Sequence, residues 1–221
     1  MNSPLGSDLP LILIGAGGHA RVLQELAQAS GRQFLGVCDP QLACQGITTW
    51  RGLPVLGGDE ALEEIDPTSV GLVNGIGQLV GSQARRDLDE RLNTAGFTFP
   101  TLVHPAAWVA SSATLADGVQ VMAGAIIQPD SRINRNVIIN TRASVDHDCS
   151  IGQHVHIAPG ATLCGDVQVG EGAFIGAGAV IIQGIRIGAC SVVGAGVTLT
   201  RNLDAGLTMR RADARLKHQS H

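Results

Sequence analysis

The chain has 221 residues, of which 44% are apolar, 15% charged and 3% aromatic, with 29 glycines and no tyrosine. This is enough for one large domain or two small ones, with a core of Val, Ile, Leu and Ala rather than of rings. A net charge of −4 without any Lys/Arg run argues against a nucleic-acid partner, and no apolar run approaches the about 20 residues needed to span a membrane.

The N-terminal MNSPLGSDLP has neither a basic segment nor a signal-length apolar run, so no secretion signal is expected. The five cysteines, Cys38, Cys44, Cys149, Cys164 and Cys190, are odd in number and lack metal spacing. Free thiols in a reducing cytoplasm are therefore expected.

Leu11–Ile14 reads as a strand that ends at Gly15-Ala16-Gly17-Gly18. The helix after it is expected to place Val22, Leu23 and Leu26 on one face. Phe34–Cys38 is a second strand, stopped by Asp39-Pro40, and Val70–Val73 a third, followed by Asn74-Gly75-Ile76-Gly77. The segment 81-GSQARRDLDERLNTAG-96 reads as a helix with its charges on one side. Alternating strands and helices predict βαβ units and a parallel, Rossmann-like sheet.

The rhythm changes near residue 106. Stepping by six from Val109 through Leu115, Val121, Ile127, Ile133 and onward to Leu199 gives sixteen positions, all aliphatic and without an insertion. Four residues after each stands a small or modest side chain, such as Ala113, Ala143, Cys149 or Ala161. This is a hexapeptide-repeat β-helix, in which stacked coils share one core. The repeat resembles the left-handed β-helix acyltransferases. That resemblance implies three hexapeptides per triangular coil, trimeric assembly and acyl-CoA in the groove between neighbours. The expected organisation is an α/β domain over 1–104, an all-β left-handed parallel β-helix over 105–204 and a tail over 205–221.

Within the repeat, 145-VDHDCS-150 places Val145 and Cys149 inward. Asp146, His147 and Asp148 then face outward at a turn. An imidazole beside a carboxylate is oriented and made more basic, as proton removal near neutral pH requires. Acetyl transfer from a thioester to an amine needs such a base and a donor for the developing oxyanion. Gly165 lies one eighteen-residue coil beyond His147, and its N–H is a candidate donor. His156, half a coil away, is expected on another face, so the two histidines can meet only across a trimer interface. His154 is expected at a surface turn. The spacing of His147, His154 and His156 does not match the β-helix carbonic anhydrases, and no metal is expected.

Earlier in the chain, Gly15-x-Gly17-x-x-Ala20 follows a strand and opens a helix, with Asp39 nineteen residues after Ala20. Such a loop lets backbone N–H groups approach a phosphate. So short a domain suits one nucleotide diphosphate better than a dinucleotide.

Both halves together resemble the PglD/NeuD-type sugar acetyltransferases, over roughly residues 10–204. The motifs are 14-IGAGGHARVL-23, Asp39, 76-IG-77, 138-IINTRASVDHDCSIG-152 and 154-HVHIAPGATLCG-165. The resemblance implies acetyl transfer from acetyl-CoA to the amino group of a nucleotide-linked, UDP-first, 4-amino-4,6-dideoxy sugar. It implies His147 as general base with Asp148 beside it, and Gly17, Gly18, His19, Asp39, Gly77 and Asn140 toward the nucleotide sugar. His156, Gly165, Ala177 and Ala195 are implied along the acetyl-CoA path. O-acetylation of a sialic acid and a non-catalytic nucleotide-sugar scaffold are the alternatives. The chain departs from the pattern in having Asp148 where a Glu is common, and 204-DAGLTMRRADARLKH-218 in place of a Gly-x-Pro-Ala tail. Arg210 and Arg211 there either bind CoA phosphates or are simply solvated.

Overall fold

In the computed structural model, which describes residues 9–210, the N-terminal sheet is built from β1 (Leu11–Ile14), β2 (Phe34–Cys38), β3 (Thr49–Trp50), β4 (Leu53–Gly57) and β5 (Gly71–Asn74). Its order is β3-β4-β2-β1-β5, and every pairing is parallel except the β3–β4 hairpin. The third parallel strand is shifted by one residue from the expected Val70–Val73, because Gly71 pairs with Leu11 and Asn74 with Ile14. The helices are α1 (Gly18–Ala29), α2 (Pro40–Cys44) and α3 (Ala84–Thr94). On α1, Leu23 and Leu26 are buried, whereas Val22 is 45% exposed. At about 100° per residue, Val22 turns off the stripe that Ala20, Leu23 and Ala27 share.

From Leu102 onward the chain winds into a left-handed β-helix with three sheets. The first face runs Leu102–Val103, Gln120–Val121, Ile138–Ile139, His156–Ile157, Phe174–Ile175, Val192–Val193 and Thr208–Met209. The second has six strands from Trp108–Val109 to Thr198–Leu199, and the third five from Thr114–Leu115 to Arg186–Ile187. Ile126 pairs with Ser144 and Ile127 with Val145, so each coil takes eighteen residues. Val121, Ile127, Val145, Ile151, Ile157, Leu163 and their equivalents form one buried column with the small residues Ala125, Ala143, Cys149, Ala161 and Ala173.

The corners follow a second rule of period six. Gly124, Asp130, Asn136, Arg142, Asp148, His154, Gly160, Asp166 and the residues continuing that step to Gly196 all have φ between 55° and 70°. This left-handed conformation costs little for Gly and is tolerated by Asn and Asp, but strains other side chains. Asp148 therefore occupies a corner that a short carboxylate suits.

The two halves share a core. Leu11, Leu13, Ala20, Leu23 and Leu26 pack with Leu102, Met122 and Ile138 of the β-helix. On the α3 side, buried Asp89 takes two hydrogen bonds from Arg135, whose guanidinium lies 5.5 Å from the Phe99 ring. All five cysteines are free thiols, and no helix among the described residues is long and apolar enough to cross a membrane.

Cys190 has φ 56° at an exposed corner, a conformation that Gly adopts without strain. Cys190→Gly should raise unfolding free energy by up to about 1 kcal/mol, since relief of strain exceeds the added unfolded-state entropy. Urea denaturation checks this, and an unchanged midpoint counts against corner strain.

Candidate active site

His147 stands at a corner between the second and third faces, with its side chain 59% exposed. Its Nδ1 lies 2.7 Å from Oδ2 of Asp148. A carboxylate oxygen only accepts, so Nδ1 carries the hydrogen and Nε2 is left as the basic nitrogen. The hydrogen bond to Asp148, with lesser contributions from the charges of Asp146, Asp148 and Asp166, holds the imidazole pKa above its ordinary value. Asp146 also accepts the backbone N–H of His147, and the His147 carbonyl accepts that of Asp166.

One coil on, Gly165 lies directly against the ring. A Cβ at Gly165 would sit 2.5 Å from Cε1 and 2.7 Å from Nε2 of His147. Any side chain at Gly165 would displace the ring from this position, and among the described residues no backbone carbonyl accepts the Gly165 N–H. The expected pairing of His147 with Gly165 is therefore geometric, set by the eighteen-residue coil.

The remaining residues divide between two places. His156 projects from the first face and is buried, with its Nε2 3.3 Å from the Asn140 amide nitrogen and its ring tilted against Phe174 at 4.9 Å. Asn140 Oδ1 accepts the Thr141 N–H, so its amide nitrogen donates to His156. His156 then carries its hydrogen on Nδ1, a buried atom without a hydrogen-bond partner among the described residues. Burial, then the nearby His19 and Arg85 charges, press the His156 pKa down to about 3, and His19 falls to about 4 for related reasons. His19 lies across the domain seam and hydrogen-bonds Gln120 at 2.7 Å. Gly77 lies beside it, a Cβ there being 3.5 Å from that of His19.

Gly17 and Gly18 are exposed, and a Cβ at either would meet nothing within 4 Å. Asp39 caps α2 by accepting Leu42 N–H, and its other oxygen accepts the Ala16 N–H of the glycine loop at 2.8 Å. Ala177 and Ala195 line one apolar cleft of about 640 Å³, together with Val80, Phe174 and Arg210. Arg211 lies outside the described residues.

Thus the fold gathers Gly77, His19, Asn140 and His156 about the seam and the edge of the first face. It places His147, Asp148 and Gly165 at another corner. The second face lies between, with Trp108, Ile126 and Val180 exposed along it. His154 is a correction: it is 4% exposed rather than a surface turn residue. Asn136 hydrogen-bonds it at 3.0 Å, and its Nε2 lies 3.8 Å from Glu90. Turn residues are usually solvated, but this corner is covered by α3 and the loop before it. Sequence reasoning also passed over Gln120, Asn74 and Arg85, which lie apart in the chain and meet only at the seam. Among the described residues no cluster of His, Cys, Asp or Glu has the makings of a metal site.

A hexapeptide β-helix with an outward His–Asp pair stacked on glycine, and an apolar cleft along another corner, defines a hexapeptide-repeat acyltransferase. Residues 10–92 match the PglD N-terminal domain, and residues 130–165 and 166–201 the bacterial transferase hexapeptide (six repeats). The crystal structure of PerB from Caulobacter crescentus, in complex with CoA and GDP-perosamine, is 37% identical. It covers 91% of this chain and 94% of its own, with a TM-score of 0.82. The acetyltransferase domain of PglB from Neisseria gonorrhoeae is 35% identical over 91% and 96%, with a TM-score of 0.83. UDP-N-acetylbacillosamine N-acetyltransferase of Bacillus subtilis is 40% identical over 114 residues, a match that spans half the length of each chain. The chain belongs to the two-domain family of hexapeptide-repeat acetyltransferases that these proteins represent.

Gly165→Ala should push the His147 ring off its seat. Because that ring is exposed and free to swing, turnover should fall at least tenfold while the unfolding midpoint stays nearly constant. Steady-state kinetics and denaturation on one preparation check this, and unchanged turnover would show that the stacked ring position is not the working one.

Proposed function

We propose that this chain transfers the acetyl group of acetyl-CoA to the amino group of a nucleotide-linked sugar, a UDP-linked 4-amino-4,6-dideoxy sugar in the first instance. The observation that carries it is His147, held by Asp148 at 2.7 Å and lying on Gly165. Neutral His147 accepts a proton at Nε2 as the sugar amine attacks the thioester carbon. The C–N bond forms and the carbonyl oxygen gains charge, which the Gly165 N–H stabilises. The C–S bond then breaks, and the CoA thiolate leaves with the proton that His147 returns. Asp148 steadies the imidazolium between these steps.

Several features support the amine as acceptor. Asp146, Asp148 and Asp166 surround His147 with negative potential, which draws a sugar ammonium more than a hydroxyl. The Bacillus and Caulobacter relatives are named for acetylation or binding of nucleotide-linked sugars. At the glycine loop, Gly17 and Gly18 leave room for a pyrophosphate at the N-terminus of α1. Asp39 holds that loop and offers its remaining lone pairs to ribose or base. Gly77, His19 and Asn140 line the sugar side. His156 meets the acetyl end, and Ala177 and Ala195 the pantetheine arm by backbone, with Arg210 toward the CoA phosphates.

A homotrimer completes this site. Trp108 and Ile126 stack as an exposed apolar pair on the second face, with Val180 exposed further along it beyond Ser144 and Thr162, and the face is bounded by the His147 corner and the Asn140 edge. Packing that face on a neighbour brings His147 of one protomer toward His156 and Asn140 of the next. Light scattering at micromolar concentration should give three times the mass of the chain, and a fully active monomer would overturn the shared site.

Thiol release from acetyl-CoA with a panel of UDP-, dTDP- and GDP-amino sugars tests the activity, with UDP sugars fastest. Release with none of them sinks it. His147→Ala should lower turnover by about 10²–10⁴-fold with the oligomer intact. His147 works in its neutral form, so activity falls as pH drops through its raised pKa. Asp148→Asn removes the largest cause of that rise and should shift the acidic limb to lower pH. An unmoved limb would mean that another group titrates there.

A further inference from the structure

His19 and Gln120 meet across the domain seam, and their chemistry decides where the imidazole hydrogen lies. Gln120 is 2% exposed and projects from the first face of the β-helix. Its Nε2 donates to the Asn74 carbonyl at 3.0 Å. Reversing the amide would set its oxygen against that carbonyl, so the oxygen is the atom facing His19 at 2.7 Å. An amide oxygen only accepts, hence His19 Nε2 bears the hydrogen.

The neighbours leave Gln120 no freedom to turn. Fully buried Arg85 donates from Nη1 to the carbonyls of Asn74 and Ile76 at 2.8 and 2.9 Å. The Asn74 side chain donates to the Arg85 carbonyl and accepts the Ile76 N–H. These bonds hold the end of β5 and the start of the Gly75–Gly77 loop as one unit. Burial and the Arg85 charge keep His19 neutral, with its pKa near 4. A neutral imidazole has one N–H, so Nδ1 is left as a lone-pair acceptor. Nδ1 makes no hydrogen bond within the described residues and is not among the atoms sealed in the core.

We propose that Gln120 is a positioning residue. It fixes His19 in the Nε2–H form and thereby presents Nδ1 as an acceptor for a hydroxyl or amine N–H of the sugar. The identity of that donor rests on the nucleotide-sugar reading above; the tautomer does not.

Nitrogen-15 labelling of the histidines, with two-bond proton–nitrogen spectra and His19 assigned through His19→Gln, reads the tautomer directly in the full-length protein. The native spectrum should show His19 protonated at Nε2. Gln120→Glu, held as the neutral acid by burial, donates its O–H to the Asn74 carbonyl and keeps its other oxygen facing the ring, so it should preserve that pattern. Gln120→Leu removes the acceptor and should give a mixed or Nδ1–H pattern. In kinetics, Gln120→Leu should raise KM for the nucleotide sugar by about tenfold, the worth of one net hydrogen bond, and leave KM for acetyl-CoA unchanged. Gln120→Glu should restore most of that loss. Nδ1–H in the native protein, or Nε2–H persisting in Gln120→Leu, overturns the proposal. Inactivity of the native protein toward every nucleotide amino sugar would overturn the functional reading instead, and the spectra would still decide the tautomer.

Discussion

The eighteen-residue coil is the constraint on which the rest depends. Each coil turns three corners and returns with its aliphatic residues directly over those of the coil before, as Ile127 over Val109 and Val145 over Ile127. One coil alone would leave its apolar side in water; stacking buries it and satisfies its backbone in the same ladder. Exact stacking also brings residues eighteen apart into contact on the outside. That is how His147 comes to lie on Gly165, and how Gln153 reaches Glu171 at 2.8 Å. The contact on which the proposed mechanism rests is thus set by the same periodicity that sets the core.

Histidine is used here in two opposite environments. His147 is exposed beside carboxylates, which favour its charged form. His19, half-buried, and His156, buried, lie near Arg85 and one another, and desolvation favours their neutral forms. A base that must accept a proton and then carry charge belongs in the first setting. Imidazoles that serve as fixed hydrogen-bond donors or acceptors belong in the second.

The seam between the halves carries an unusual share of buried polar groups: Arg85, Asp89, Asn74, Gln120 and His156. Buried charges cost desolvation and contribute little net stability even when paired. Their directional bonds do fix how the two domains sit. Asp89 accepts from Arg135 at two oxygens, and Gln120 links Asn74 to His19. An apolar seam would hold the domains together without specifying which imidazole nitrogen carries the hydrogen.

Much of this was legible in the chain. The period-six aliphatics identify the β-helix, because a buried column in stacked coils tolerates neither polar residues nor insertions. The outward residues of the first face, Leu102, Gln120, Ile138, His156, Phe174, Val192 and Thr208, include four large apolar side chains, whereas those of the third are Thr114, Arg132, Ser150, Gln168 and Arg186. That contrast takes its meaning only from the structure, where the N-terminal domain packs on Leu102 and Ile138 of the first face. The pairing of His147 with Gly165 followed from coil length alone. What the sequence could not carry was any contact between residues of unrelated spacing. Whether His154 is solvated depends on α3 lying over its corner, and whether Asp39 faces a ligand depends on the Ala16 N–H that already occupies it. The tautomer of His19 depends on Gln120 and Asn74, which meet only when two domains dock. Periodic packing is local and repeats along the chain, so sequence alone determined it; directional hydrogen bonds between distant segments exist only after folding, so tertiary structure decided them.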